Sequence, residues 1–191
     1  MGMDVHGLNP KENKNIDDFP IMKRFDSMDF AEKWKALDKD EALRDEYWRE
    51  KDKWEEDNPG VYFRNNVWWW RPLWNYCLVV ADDIIEPNMR RMEYKYDEDD
   101  EPIHDESKWV KSNFDSGHSN DGSGLNSKHA KLLGNRLMET IADGTAIKYQ
   151  ADYLQHMEDS DEEFAKNYPF DVDNVERFAL FCIESGGFEI C

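Results

Sequence analysis

Apolar residues recur every three or four positions through most of this chain, the spacing of one helical face. Together with capping residues, the spacing predicts six helices. The first is capped by Ser27 or Asp29 and carries Phe30, Trp34 and Leu37, and the second runs from Glu41 to about Glu56 after the cap Asp40. The third runs from Pro72 to about Ile85, and the fourth is capped by Asn126 or Ser127 and ends at Gly144. The fifth begins at Thr145 and bears the apolar residues Ile147, Ala151, Leu154 and Met157, and the sixth buries Val175, Phe178, Ala179 and Cys182.

Both ends of the chain have a strand pattern instead. Met3–His6 is short and half apolar, and a turn-forming stretch follows it. Residues 188–190 follow a glycine pair and are expected to pair with Met3–His6. The predicted fold is therefore mainly α (α+β): one domain over residues 1–191, built as a compact helical bundle of five to six helices with a small sheet from the N- and C-terminal segments.

The stretch 89–124 follows neither pattern. It contains a solid acidic run over residues 97–101, and it ends in a series of turn-forming residues from 115 to 124. Trp109, Val110 and Phe114 are the apolar residues that would hold it against the body of the protein. We therefore predict an irregular acidic and glycine-rich insertion at 89–124.

Three adjoining tryptophans lie between the second and third predicted helices. In a helix, Trp68, Trp69 and Trp70 would spread over roughly 200°, because each residue advances by about 100°. In a strand, the middle ring would face away from the other two. A single buried face cannot hold all three, so at least one ring is expected to meet a second structural layer, a ligand or a partner.

The residues around these tryptophans supply the components of a nucleobase pocket. An indole ring stacks on a base, the asparagine amides read its edge, and arginine binds a phosphate. The candidate ligand-binding residues are Tyr62, Arg64, Asn65, Asn66, Trp69, Arg71 and Trp74. The alternative is a tryptophan-rich core in which Arg71 covers a ring by a cation–π contact.

The glycine-rich stretch 117–124 is a second candidate anion site, because it precedes a predicted helix. Free N–H groups and the helix dipole favour anions at such a place, and glycines permit close approach. His118, Asn120 and Lys128 are the candidate residues there. The GxxxxGK[ST] phosphate-loop pattern is absent, and an ordinary connecting loop explains the same residues.

Charge narrows the expected partners. The chain has 24 basic and 43 acidic residues, a net charge of −19, and such a field repels nucleic-acid phosphates. Direct nucleic-acid binding is therefore not expected, whereas a local basic pocket for a small anion remains compatible. The acidic segments 97–106 and 158–163 are candidate contacts for a basic partner, with a solvated acidic surface as the alternative.

No pattern in the chain indicates a catalytic or metal site. The three cysteines form no zinc spacing, the glycine loop lacks the acids of a calcium loop, and no nucleophile elbow is present. No metal, cofactor or catalytic residue is predicted, and a protein that is not an enzyme is favoured. No apolar run approaches the roughly 18–20 residues that span a bilayer, and the start is unlike a signal peptide, so we expect a cytoplasmic protein away from membranes.

Four patches of sequence occur together: MGMDVHGLNP, YFRNNVWWWRPLW, NDGSGL before a helix, and NVERFALFCIESGGFEI. In these patches the chain resembles a group of uncharacterised proteins that are carried by bacteriophages and found in some bacterial genomes. The resemblance implies a phage origin and an accessory role in the host cytoplasm, with counter-defence as a candidate class. It implies no catalytic residues, since the group has no established activity.

Two functions are thus open. The first is binding of a small anionic ligand without catalysis, such as a nucleotide or a nucleotide-derived immune signal. The second is an acidic protein–protein inhibitor, or a nucleic-acid mimic, that occupies a basic groove on a host nuclease or other defence protein. The sequence leaves the oligomeric state open.

Overall fold

The computed structural model describes residues 2–160 and 167–191, without the side chains of residues 102 and 104–107. Within these ranges the chain forms seven α-helices and six β-strands. The strands are β1 (Gly2–Gly7), β2 (Tyr62–Asn66), β3 (Arg90–Tyr96), β4 (Pro102–Lys111), β5 (Ser123–Asn126) and β6 (Gly187–Ile190). The helices are α1 (Pro20–Asp26), α2 (Phe30–Leu37), α3 (Glu41–Asp57), α4 (Val67–Asn88), α5 (Ser127–Ala142), α6 (Thr145–Asp159) and α7 (Val172–Glu184). No helix in the described part of the chain is long and apolar enough to cross a membrane.

The six strands form one antiparallel sheet in the order β2-β1-β6-β5-β3-β4. The expected pairing of the chain ends is confirmed, because Val5 lies opposite Ile190 and His6 opposite Glu189. The predicted bundle of five to six helices with a small sheet is wrong: this is an α+β fold with more helices and a much larger sheet. The chain ends supply only two of the six strands.

The stretch 89–124, which we predicted to be irregular, contains two of the strands and the start of a third, β5. β3 and β4 pair as a hairpin, with Glu93 opposite Lys108 and their charged groups 3.7 Å apart. The prediction failed because both faces of β3 are exposed over residues 93–96, so the apolar alternation of a half-buried strand is missing there. The acidic run 97–101 is the turn of the hairpin and not a free loop.

Helix α4 begins earlier than predicted. Its cap is Asn66, whose side-chain oxygen accepts hydrogen bonds from the backbone N–H groups of Trp68 and Trp69 at 3.0 and 3.1 Å. Pro72 therefore lies inside the helix rather than in its first turn. A kink at Ala81, where φ is −145°, divides the helix. The early start carries the three tryptophans on the first turn of the helix that crosses the core.

The main core lies between one face of the sheet and helices α4, α5 and α7. Trp70 and Trp74 are fully buried and stack at 5.6 Å between ring centroids, with Phe178 against the edge of Trp70. A second cluster forms among α1, α2 and α3, around Phe25 and Tyr47. The fold thus has two packed regions, and β2 with the start of α7 lies where α3 approaches the main core.

The face of α6 that packs is not the apolar stripe noted in the sequence. Ile147 and Leu154 of that stripe are 63% and 46% exposed. The helix instead packs through Ala146, Tyr149 and Tyr153, whose rings contact Phe170. Apolar residues occur on two sides of this helix, so spacing alone did not identify the face that packs.

Candidate functional site

The three adjoining indoles have different environments. Trp70 is fully buried, whereas Trp68 and Trp69 are half-buried. The ring of Trp68 lies against Tyr168, with 4.8 Å between the centroids. Trp69 lines an open pocket, and its exposed part is therefore available to a ligand.

This pocket, which we call the Trp69 pocket, has a volume of about 410 Å³ and lies between β2, the start of α4 and the start of α7. Its described lining residues are Arg64, Asn65, Asn66, Trp69, Asp171, Asp173, Asn174 and Arg177. Four of the residues predicted from the sequence are among them: Arg64, Asn65, Asn66 and Trp69. The pocket combines arginine, amide, carboxylate and indole groups around one space.

Two buried amides form one wall. Asn65 donates a hydrogen bond from Nδ2 to Oδ1 of Asn174 at 3.1 Å, and the two residues are only 9% and 7% exposed. The Oδ1 of Asn65 and the Nδ2 of Asn174 make no hydrogen bond with described residues. Reversing both amides would still leave one acceptor and one donor unfilled. The wall therefore offers one acceptor and one donor to a ligand, whichever way the amides are turned.

Two helix N-termini adjoin the pocket. Asn66 caps α4, and Asp171 caps α7 by accepting a hydrogen bond from the backbone N–H of Asp173 at 3.0 Å. The positive ends of both helix dipoles therefore lie at this side of the molecule. Their field favours a negative group bound there.

The two arginines of the pocket have few partners. Arg64 has its Nε 3.5 Å from a carboxylate oxygen of Asp4. Arg177 makes no ion pair or hydrogen bond with described residues, and its guanidinium lies 5.5 Å from the centroid of the Phe63 ring. In a chain of net charge −19, these two guanidinium groups supply positive charge beside the carboxylates of Asp171 and Asp173 that line the same pocket.

A second pocket, the Tyr62 pocket, joins the first at the same arginines. It has a volume of about 560 Å³ and lies between α3, β2 and α7. Its described lining residues are Asp52, Glu55, Glu56, Pro59, Tyr62, Phe63, Arg64, Arg177 and Leu180. The Tyr62 hydroxyl donates a hydrogen bond to Asp4. Burial is the main cause that raises the pKa of Tyr62, and the hydrogen bond to Asp4 raises it further.

Arg71 does not line the Trp69 pocket. Its Nη1 donates a hydrogen bond to the Tyr168 hydroxyl at 3.0 Å, and its guanidinium lies 5.9 Å from the centre of that ring. Nε2 of His118 is 2.8 Å from Oδ1 of Asn75, and burial lowers the pKa of this histidine. Neither Arg71 nor His118 therefore shares a pocket with Arg64 and Trp69 in the described part of the chain.

The glycine-rich loop packs on the core. The Gly117 carbonyl accepts a 2.6 Å hydrogen bond from Nε1 of Trp70, and the buried Trp74 donates one to the Phe114 carbonyl at 3.2 Å. Asn120 donates to the Gly2 carbonyl at 3.0 Å, and Lys128 is exposed on α5. The structure thus does not bring His118, Asn120, Lys128 or Trp74 to the Trp69 pocket.

Sequence reasoning missed Asn174 and Arg177, which are more than a hundred positions from the tryptophans. They belong to α7, which we had interpreted only through its buried face. The available signal was a polar strip at helical spacing, Asp173, Asn174 and Arg177, beside the apolar one. An asparagine that is 7% exposed on a helix first turn is the unusual feature, and only packing reveals it.

The described residues contain no group of three or more His, Cys, Asp or Glu side chains that could hold a metal ion. Of the two acidic segments considered as partner contacts, 97–106 covers the hairpin turn and the start of β4, and residues 161–163 of the other lie outside the described residues. The chain matches no protein-family model, and neither a curated protein nor a solved structure is significantly similar to it.

Proposed function

We propose that this protein binds a nucleotide in the Trp69 pocket without catalysing its conversion. The observation that carries the proposal is the guanidinium of Arg177, which lines the pocket beside Arg64 and forms no ion pair or hydrogen bond with the described residues. Guanidinium groups bind phosphate oxygens in pairs of parallel hydrogen bonds, and unpaired arginines in an acidic protein are strong candidates for such a role. The dipoles of α4 and α7 add to the attraction.

The base fits the remaining part of the pocket. The half-buried indole of Trp69 offers a face for stacking, which stabilises a bound base by about 1–3 kcal/mol in known sites. Asn65 and Asn174 present one acceptor and one donor, which match the paired groups on the edge of a nucleobase. The volume of about 410 Å³ lies within the usual range for small-molecule sites.

Binding without chemistry is the reading that the lining favours. Its eight described lining residues include no histidine, serine or cysteine, and one of its two carboxylates, that of Asp171, is engaged as a helix cap. From the resemblance to phage-carried proteins, we further propose that binding serves counter-defence, by sequestering a nucleotide-derived immune signal in the host cytoplasm.

The test is a titration of the purified chain with AMP, GMP, CMP and UMP, in which calorimetry and tryptophan fluorescence measure binding. We expect at least one to bind, and Arg177→Gln to weaken that binding by about tenfold or more, since a charged hydrogen bond contributes about 1.5–3 kcal/mol. Arg24→Gln is the matched control, because Arg24 is an exposed arginine that also lies over a phenylalanine ring, at 5.2 Å.

Trp69→Leu is expected to remove the fluorescence change. The proposal fails if no nucleotide binds. It also fails if Arg177→Gln, like the control Arg24→Gln, binds nucleotide as tightly as the unaltered chain. Tight, salt-sensitive binding to a basic host protein in the absence of any nucleotide response would favour the inhibitor alternative.

A further inference from the structure

The two pockets meet at a shared pair of arginines. Arg64 and Arg177 line both the Trp69 pocket and the Tyr62 pocket, so the positive groups lie between the two spaces and not at one end. Along β2, Asn66 lines only the first pocket and Tyr62 only the second, with Arg64 midway between them. A strand rises about 3.3 Å per residue, so Tyr62 and Asn66 are about 13 Å apart along β2.

Both pockets place carboxylates around the shared arginines. The Trp69 pocket has Asp171 and Asp173, and the Tyr62 pocket has Asp52, Glu55 and Glu56. Burial raises the pKa of Glu55, although Lys51 opposes this shift. A phosphate chain that extended from the arginines into either pocket would meet like charge, which is unfavourable. Uncharged groups with N–H donors fit there, because carboxylates accept their hydrogen bonds.

Each pocket also offers an aromatic or apolar surface. The first has the indole of Trp69, and the second has the ring of the half-buried Tyr62 and the 40%-exposed Leu180. A nucleobase presents a flat face for such surfaces and, in adenine, guanine and cytosine, an exocyclic amino group for carboxylates. A mononucleotide would fill one pocket and leave the other, of about 560 Å³, open.

Building on the nucleotide site proposed above, we infer that the ligand is a dinucleotide. One nucleoside occupies the Trp69 pocket, the other occupies the Tyr62 pocket, and the phosphodiester that joins them lies on Arg64 and Arg177. The inference rests on the shared arginines with carboxylates to either side, an arrangement that complements an anion at the centre of a ligand and hydrogen-bond donors at its ends.

The experiment compares affinities of the full chain by calorimetry. The probes are AMP, GMP, ATP, GTP, the linear dinucleotides ApA and GpG, and cyclic di-AMP and cyclic di-GMP. We expect a dinucleotide to bind at least about tenfold more tightly than the mononucleotide of the same base. Comparing linear with cyclic probes distinguishes one bridging phosphate from two.

Leu180→Gln tests the second pocket. It removes apolar surface that a second base would cover, and we expect it to lower the ratio of dinucleotide to mononucleotide affinity by about threefold or more. Leu132→Gln is the matched control, since Leu132 is 43% exposed on α5 and lines neither pocket. The control is expected to keep the ratio of the unaltered chain.

The outcomes separate this inference from the proposed function. If mononucleotides bind and dinucleotides bind no more tightly, or if ATP or GTP binds more tightly than every dinucleotide, the inference is overturned and the nucleotide site stands. An unchanged ratio in Leu180→Gln also overturns it. If none of these probes binds, and neither CMP nor UMP binds, the proposed function itself is refuted.

Discussion

Replacing Gly117 by alanine tests whether the glycine-rich loop is part of the core. A Cβ at this position would lie 2.0 Å from Cε2 of Trp74 and 2.2 Å from its Cζ2. Trp74 is fully buried and stacks on Trp70, so its ring cannot move away without disturbing a second indole. Overpacking of this kind typically costs 1–3 kcal/mol, and the rigid surroundings favour the upper part of that range.

A second contribution comes from the hydrogen bond between Nε1 of Trp70 and the Gly117 carbonyl, which measures 2.6 Å. Displacement of the loop would weaken this bond, which is worth about 1 kcal/mol. The lower entropy of the unfolded alanine chain offsets about 0.5 kcal/mol. We therefore expect Gly117→Ala to lower the free energy of unfolding by about 3 kcal/mol, or roughly 6–12 °C in melting temperature for a chain of this length.

Urea unfolding, monitored by circular dichroism, measures this loss in the free energy of unfolding. Gly122→Ala is the control in the same loop: φ is +77° there, but the nearest atom to an added Cβ is 4.0 Å away. Its expected cost is about 1 kcal/mol, from the left-handed conformation alone. Tight packing of Gly117 on Trp74 is refuted if Gly117→Ala unfolds at the urea concentration of the unaltered chain, or if it loses no more stability than Gly122→Ala.

Two further predictions concern polar groups in the fold. The hydroxyl of Tyr47 donates to Asp26 at 2.8 Å and accepts from Lys33 at 2.6 Å, so Tyr47→Phe is expected to destabilise the α1–α3 cluster by about 1–2 kcal/mol in thermal unfolding. Burial lowers the pKa of His118 below the ordinary value of 6.5, so the unfolded chain takes up this proton more readily. The free energy of unfolding is therefore expected to fall as the pH drops below about 6.5. If His118 causes this fall, the fall is smaller in His118→Gln and unchanged in His156→Gln.

Local signals predicted a useful part of the fold. The caps Asp29, Asp40 and Asn126 begin helices as expected, because each cap is read from its own side chain and the next three residues. The pairing of β1 with β6 was also predicted, from two short apolar segments that each lie beside glycines. These features depend on a few neighbouring residues, which is why the sequence was sufficient.

The larger sheet depends on strand pairings that no local sequence pattern predicts. β3 carries Arg91, Glu93 and Lys95, with Tyr94 and Tyr96 exposed, so its residues resemble a charged loop. Its pairing with β4 uses backbone hydrogen bonds, which any side chain permits. Strands without a buried face have no periodicity to detect, and the predicted share of sheet was too small for this reason.

In the candidate site, too, sequence spacing did not predict the contacts of one side chain, Arg177. Asp173 and Arg177 are four residues apart on α7, a spacing that usually indicates an ion pair on a solvated helix. The described structure contains no such pair: the guanidinium lies over Phe63, and Asp173 lines the pocket on its own. Because Arg177 forms no ion pair with Asp173 or with another described carboxylate, its exposed guanidinium stays accessible where the Trp69 and Tyr62 pockets meet. That arrangement costs little without a ligand, since the group remains hydrated, and an arriving phosphate finds an arginine that has no ion pair with a described residue to break.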